Sequence, residues 1–191
     1  DYIRYQDDYY GYNKVGRQNF QNVHNLDPID IVRGIIPTRF GYKQSYVDSI
    51  KKIWENYKIN KIDSLLIQAR YILDNSERKI ELSAAVKPNL NDSKTRWSQD
   101  WKSWIDNDFL DFVVIMNYAE DIKIFNSNIE IINNNFNNID KQKIVIGIAT
   151  YNQSAKSSSD KVILSRLKGF ENISIFSYNS HENDLYWFNP V

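Results

Sequence analysis

Four short apolar runs, each leaving on polar or aromatic residues, restrict what this chain can fold into more than any other feature of it. Ile80 to Val86 runs into Lys87-Pro88, Phe112 to Met116 into Asn117-Tyr118, Ile144 to Thr150 into Tyr151-Asn152, and Ile173 to Ser177 into Tyr178-Asn179. This is the rhythm of an α/β fold of the (β/α)₈ type, specifically its second half, in which chemistry sits at the C-terminal strand ends. The opening Asp1-Tyr2-Ile3-Arg4-Tyr5 reads as the charged, aromatic end of a further strand whose hydrophobic body is absent. The expectation is therefore one domain over residues 1–191, running from the end of strand four to strand eight, with four parallel strands in sequential order and helices outside.

The chain has 191 residues, short of the roughly 250 of a whole barrel. Its 24 basic and 24 acidic residues cancel, so no global field draws in nucleic acid or an anionic membrane, and a neutral or locally charged ligand is expected. The absence of cysteine excludes disulfides and thiolate metal sites. No apolar run reaches the ~18 residues of a membrane span. Thirteen Tyr and five Trp suit either sugar-stacking surfaces or Tyr-rich cores and edges.

Between the runs, Gln6 to Tyr42 has little periodicity and carries Gly11, Gly16, Pro28, Gly34, Pro37 and Gly41, which predicts a long loop. Val47, Ile50, Ile53, Trp54 and Tyr57 fall at helical spacing, and Ile62, Leu65, Leu66, Ala69, Ile72 and Leu73 continue it in a second stretch. Trp101, Trp104 and Ile105 predict a short helix, and Asn126 to Asn138 a weakly amphipathic one. Asp111 precedes its strand body and so belongs to the stability face of a barrel.

Six segments then occur in order: Asp1-Tyr2-Ile3-Arg4-Tyr5, Ser83 to Pro88, Gln99-Asp100-Trp101 with Trp104, Leu110 to Tyr118, Gly147 to Tyr151, and Phe176 to Ser180. The series resembles the bacterial glycosyl hydrolase-like family 10 group over almost the whole chain. The resemblance implies a carbohydrate-active enzyme whose relatives include hydrolases of peptide-free peptidoglycan glycan strands, often exported to the periplasm or cell surface. It places the opening motif after barrel strand four. Strands one to three would then come from a missing N-terminal half-barrel, or self-association would cover the open edges.

Glycoside hydrolysis needs two carboxyl groups flanking the scissile bond. Asp1 is the leading candidate, with Arg4 able to hold it ionised and aligned; an Asp capping the next loop is the alternative. The strand-seven end Ala149-Thr150-Tyr151-Asn152 holds no acid, whereas family 10 xylanases place their nucleophilic Glu there. Strand five or six is therefore expected to supply the partner: Asp100 first, beside Trp101 and Trp104, then Glu120 and Asp121. Gln99-Asp100-Trp101 equally reads as a helix cap followed by a packed Trp. Arg4, Tyr5, Lys87, Trp101, Asn117, Tyr118, Tyr151 and Tyr178 are the expected sugar contacts. His24 and His181 are isolated, and no P-loop, dinucleotide or serine-nucleophile signature is present, so neither metal nor cofactor is expected. The competing classes are a carbohydrate-binding or scaffolding protein that performs no hydrolysis, and an inactive fragment of a longer enzyme.

Overall fold

The computed structural model describes residues 1–7, 9–35, 41 and 43–189. Its centre is a four-stranded parallel sheet, β1 (Ser83–Val86), β2 (Phe112–Met116), β3 (Ile144–Ala149) and β4 (Asn172–Phe176), in the order β1-β2-β3-β4. Ala85 lies beside Val114, Val114 beside Val145, and Val145 beside Asn172, so one row of side chains crosses the whole sheet on one face. The alternate residues Ala84, Val86, Val113, Ile115, Ile144, Ile146 and Ile148 are buried. They pack with Trp104 and Ile105 of α5 (Trp101–Asp106), Phe125, Ile129 and Ile132 of α6 (Ile122–Asn135), and Val162 of α7 (Ala155–Leu167). On the opposite face, Ala85, Val114, Met116, Val145 and Ser174 are only half-buried. The side chains of this face are short at its centre. At Gly147 a Cβ would stand 2.6 Å from the Ile115 carbonyl oxygen of the neighbouring strand.

The long helix α3 (Gln44–Asp74) serves two cores. At 31 residues it spans about 46 Å. Its second half gives Ile62 and Leu66 to the sheet core, while Ile50 and Trp54 of its first half pack with Phe20 of α1 (Lys14–His24) and Ile31 of α2 (Pro28–Val32). The two predicted apolar stretches are thus one helix that changes partner midway. Lys58, 1% exposed at the changeover, interrupts the apolar pattern without interrupting the helix. A further helix absent from the sequence reading, α4 (Leu90–Trp97), precedes α5 and begins with Asn89 accepting a hydrogen bond from the Asp92 N–H.

Two other expectations are corrected. Gln6 to Tyr42 is not one loop: α1 and α2 occupy much of it, started by the side chains of Asn13 and Asp27, which accept from the Gly16 and Ile29 N–H groups. Polar surface hides the periodicity of both helices, leaving Phe20 and Ile31 as their fully buried anchors. Pro37 and Tyr42 lie outside the described residues. Asp1 to Tyr5 is not a strand of the sheet, since Tyr2 takes φ 60° and the Arg4 N–H turns back to the Tyr2 carbonyl. Asp111 sits where expected, at the N-terminal strand ends, and accepts from the Leu82 N–H and from Arg70. Burial alone would push its carboxyl up, but these two donors hold it below the usual range.

Candidate functional site

Although it joins no strand, the opening segment is fastened to the C-terminal end of β1, and one side chain does most of the fastening. Gln99 is fully buried. Its Oε1 accepts from the Lys87 N–H at 3.1 Å, while its Nε2 donates to the Ile3 carbonyl at 3.1 Å and the Ala85 carbonyl at 3.3 Å. The Tyr5 N–H adds a bond to the Trp97 carbonyl. Gln99 thereby puts Arg4 in the neighbourhood of Lys87. Sequence reasoning quoted Gln99 as part of a motif without giving it this role; an amide between two strand-end segments is visible only once both are in place.

Around this clamp the charge is mostly positive. Arg4 is mostly buried, and its Nη1 stands 3.9 Å from the Asp1 carboxylate, beyond hydrogen-bond distance. Asp1 itself is largely exposed and accepts from the Tyr2 N–H at 2.6 Å. The Lys87 ammonium and the Arg96 guanidinium each lie 5.0 Å from the Trp97 ring centre. Burial, then the nearby Arg4 and Arg96 charges, push the Lys87 ammonium below its ordinary value. Tyr5 faces elsewhere: its ring packs on Gly11 and lies under the Lys58 ammonium, and burial raises its phenol.

Further along the same strand ends, three aromatic rings form a cluster. Tyr118 stacks on Phe176 with ring centres 5.4 Å apart, and Tyr151 meets both edge-on. Tyr151 and Phe176 are about half exposed, 54% and 50%, so the cluster presents ring surface to solvent. Phe176 was missed in the sequence because it closes an apolar run and read as strand body. The loops carrying the cluster are tied down from below by Lys161 of α7, which is fully buried. Its Nζ donates to the Ala119 and Glu120 carbonyls, each at 2.7 Å, and to the Gln153 Oε1, and Asn152 Nδ2 donates to the Tyr118 carbonyl. Tyr178 is exposed in the 3₁₀ turn that follows β4.

Two expected sugar contacts are corrected by burial. Trp101 is fully buried, stacked on Phe136 at 5.2 Å and donating to the Lys87 carbonyl, so it offers no free face. Asn117, 1% exposed, donates to the Phe125 carbonyl and accepts from Asn128, which commits its amide to holding α6.

Two of the three candidate partner acids are engaged by other groups. Asp100 pairs with Lys94 at 2.6 Å and its charge is felt by Asp63 of α3, on the helical side of β1. Burial pushes the Asp63 carboxyl up against the opposing bond from Trp104 Nε1. Asp121 caps α6: its Oδ1 accepts from the Lys123 and Ile124 N–H groups, and these hold its carboxyl below the usual range. Glu120 is exposed beside a cleft lined also by Ile124, Gln153 and Ser157, and its carboxylate makes no hydrogen bond or ion pair among the described residues. Among the described residues no three His, Asp or Glu side chains group to hold a metal, and no helix is long and apolar enough to cross a membrane.

No protein-family model matches the sequence, and the comparison with curated proteins gives no match. The fold is similar to that of the PgaB (BpsB) glycoside hydrolase domain from Bordetella bronchiseptica, with a TM-score of 0.71 over 96% of this chain at 12% sequence identity. The chain spans about half of that structure, 52% of its length. The likeness is one of fold.

Proposed function

We propose that this chain is the second half of a (β/α)₈ barrel of glycoside hydrolase type, acting on a bacterial polysaccharide at the C-terminal ends of its strands. The observation that carries the reading is the gathering of Asp1, Arg4 and Lys87 at one end of β1 and of Tyr118, Tyr151 and Phe176 at the same ends of β2 to β4. Cations and an acid bind hydroxyl and carboxyl groups, and exposed rings bind sugar faces. The sequential parallel sheet and its half-exposed face fit a barrel interior completed by four further strands. The fold likeness to half of a glycoside hydrolase domain supports this, and the six ordered motifs support the narrower family 10-like reading, with peptide-free peptidoglycan glycans as the substrate class and an exported setting.

In this reading Asp1 is the nucleophile or base, with the Arg4 charge 3.9 Å away favouring its ionised form. Asp100 and Asp121 are engaged with Lys94 and the α6 N-terminus, which leaves Glu120 as the uncommitted acid and the preferred partner. Those same engagements favour a second reading, a saccharide-binding protein without hydrolysis. The two separate in one experiment on the completed barrel. Asp1→Asn should cut hydrolysis of peptide-free peptidoglycan glycans by orders of magnitude while glycan binding persists. Unchanged hydrolysis would end the assignment of Asp1, and a wild-type protein that binds without hydrolysing would establish the second reading.

A further inference from the structure

Lys87 is half-buried, yet among the described residues its ammonium has neither a hydrogen bond nor an ion pair, and it lies 5.0 Å from the centre of the Trp97 ring. Arg4 has the same deficit in another form: its Nη1 is out of contact with solvent and makes no hydrogen bond, with Asp1 only at 3.9 Å. The acid nearest the third cation, Asp7, is engaged with Arg96 at 2.8 Å. Removing cations from water without partners is unfavourable, and like charges held together add to the cost. Gln99 nevertheless holds the two backbone segments that carry them side by side, joining the Ile3 carbonyl to the Lys87 N–H through a single amide. A pair of incompletely satisfied cations carried on two clamped segments at the rim of a binding surface is suited to receive an anion.

We propose that Arg4 and Lys87 form a subsite for an anionic substituent on the saccharide, a carboxylate in the first instance, with Trp97 as the wall beside it. This rests on the glycan reading above and narrows it to acidic glycans. The guanidinium supplies planar donors and the ammonium a movable one, a combination suited to a carboxylate on a sugar ring or its ether side chain. A sulfate or phosphate ester would meet the same donors.

The test needs no variant to begin with. Calorimetric titration of this chain with an oligouronide and with its methyl ester should show the acid binding at least about tenfold more tightly, with the preference shrinking as salt rises. A sulfated chito-oligosaccharide compared with its neutral parent distinguishes a carboxylate-specific subsite from a general anion subsite. Lys87→Met should bring the ratio of acid to ester affinity close to one, whatever it does to the affinity for the ester itself. Equal affinities for acid and ester in the wild type would overturn the proposal and leave the glycan reading intact. If neither these saccharides nor peptide-free peptidoglycan glycan strands bind, the glycan reading fails; inorganic phosphate then decides the subsite, its binding by wild type but not by Lys87→Met supporting the subsite and any other result overturning it.

Discussion

Replacing Gln99 should damage both the stability of the chain and the geometry of its rim, and the size of the effect follows from the bonds it makes. The side chain is fully buried and serves three backbone groups, the Lys87 N–H and the Ile3 and Ala85 carbonyls. Gln99→Ala strands them, at about 1–3 kcal/mol for each group left dry, and leaves a cavity as well. Water entering the cavity recovers part of that, so a net loss of about 3–5 kcal/mol is expected, a large share of the 5–15 kcal/mol typical of a domain. Gln99→Glu is more informative. Its ionised carboxylate can accept from Lys87 N–H but faces two carbonyl oxygens where an NH₂ group stood, whereas its protonated form can donate to one of them. The introduced carboxyl therefore has a folded-state pKa raised above its unfolded value. The variant should lie nearest the wild type below the ordinary carboxylate range and lose stability as pH rises toward the folded pKa, the deficit levelling off beyond it. Urea unfolding followed by tryptophan fluorescence gives the stability, and amide hydrogen exchange at Lys87 and Tyr5 gives the local opening. A loss under about 0.5 kcal/mol in Gln99→Ala, with unchanged exchange at Lys87, would refute the clamp.

Tyr151→Ala should weaken glycan binding by about 1 kcal/mol while barely moving the thermal midpoint, because the ring is 54% exposed and packs only edge-on; titration calorimetry paired with scanning calorimetry checks this. Asp27→Ala removes the α2 cap and the partner of Arg17, and should cost about 1–2 kcal/mol near neutral pH by urea unfolding. The Arg17 bond holds the Asp27 carboxyl below its ordinary value, so its contribution is complete above the unfolded pKa and disappears as pH falls through the folded one; wild type and variant should converge in acid. Lys161→Met should cost about 1–3 kcal/mol by removing the donor to the Ala119 and Glu120 carbonyls, and should loosen the Tyr118 loop in hydrogen exchange before the rest of the sheet opens.

The strands were legible because apolar runs bounded by polar residues leave few alternatives, and their C-terminal ends were legible for the same reason. Side-chain direction was not. Asn117 and Tyr118 are neighbours in sequence, yet one amide is turned into the protein to hold α6 through the Phe125 carbonyl while the next ring joins the exposed cluster by stacking on Phe176, which lies far along the chain. Trp101 carries the chemistry of a sugar platform and is spent on packing against Phe136. Asp100 fits a catalytic acid by its spacing, but a lysine one helical segment earlier, Lys94, reaches it first. Lys58 and Lys161, both almost wholly buried, had no signature at all in a sequence where lysine is common.

The central claim, that a glycan lies along the C-terminal strand ends, is tested most directly by mapping amide chemical shifts during titration with peptide-free peptidoglycan glycan strands. Perturbations should concentrate at residues 2–5, 87, 97, 118, 151–152 and 176–178 and spare the N-terminal ends at 82, 111, 143 and 171. Shifts confined to those N-terminal ends, or none at saturating glycan, would contradict it.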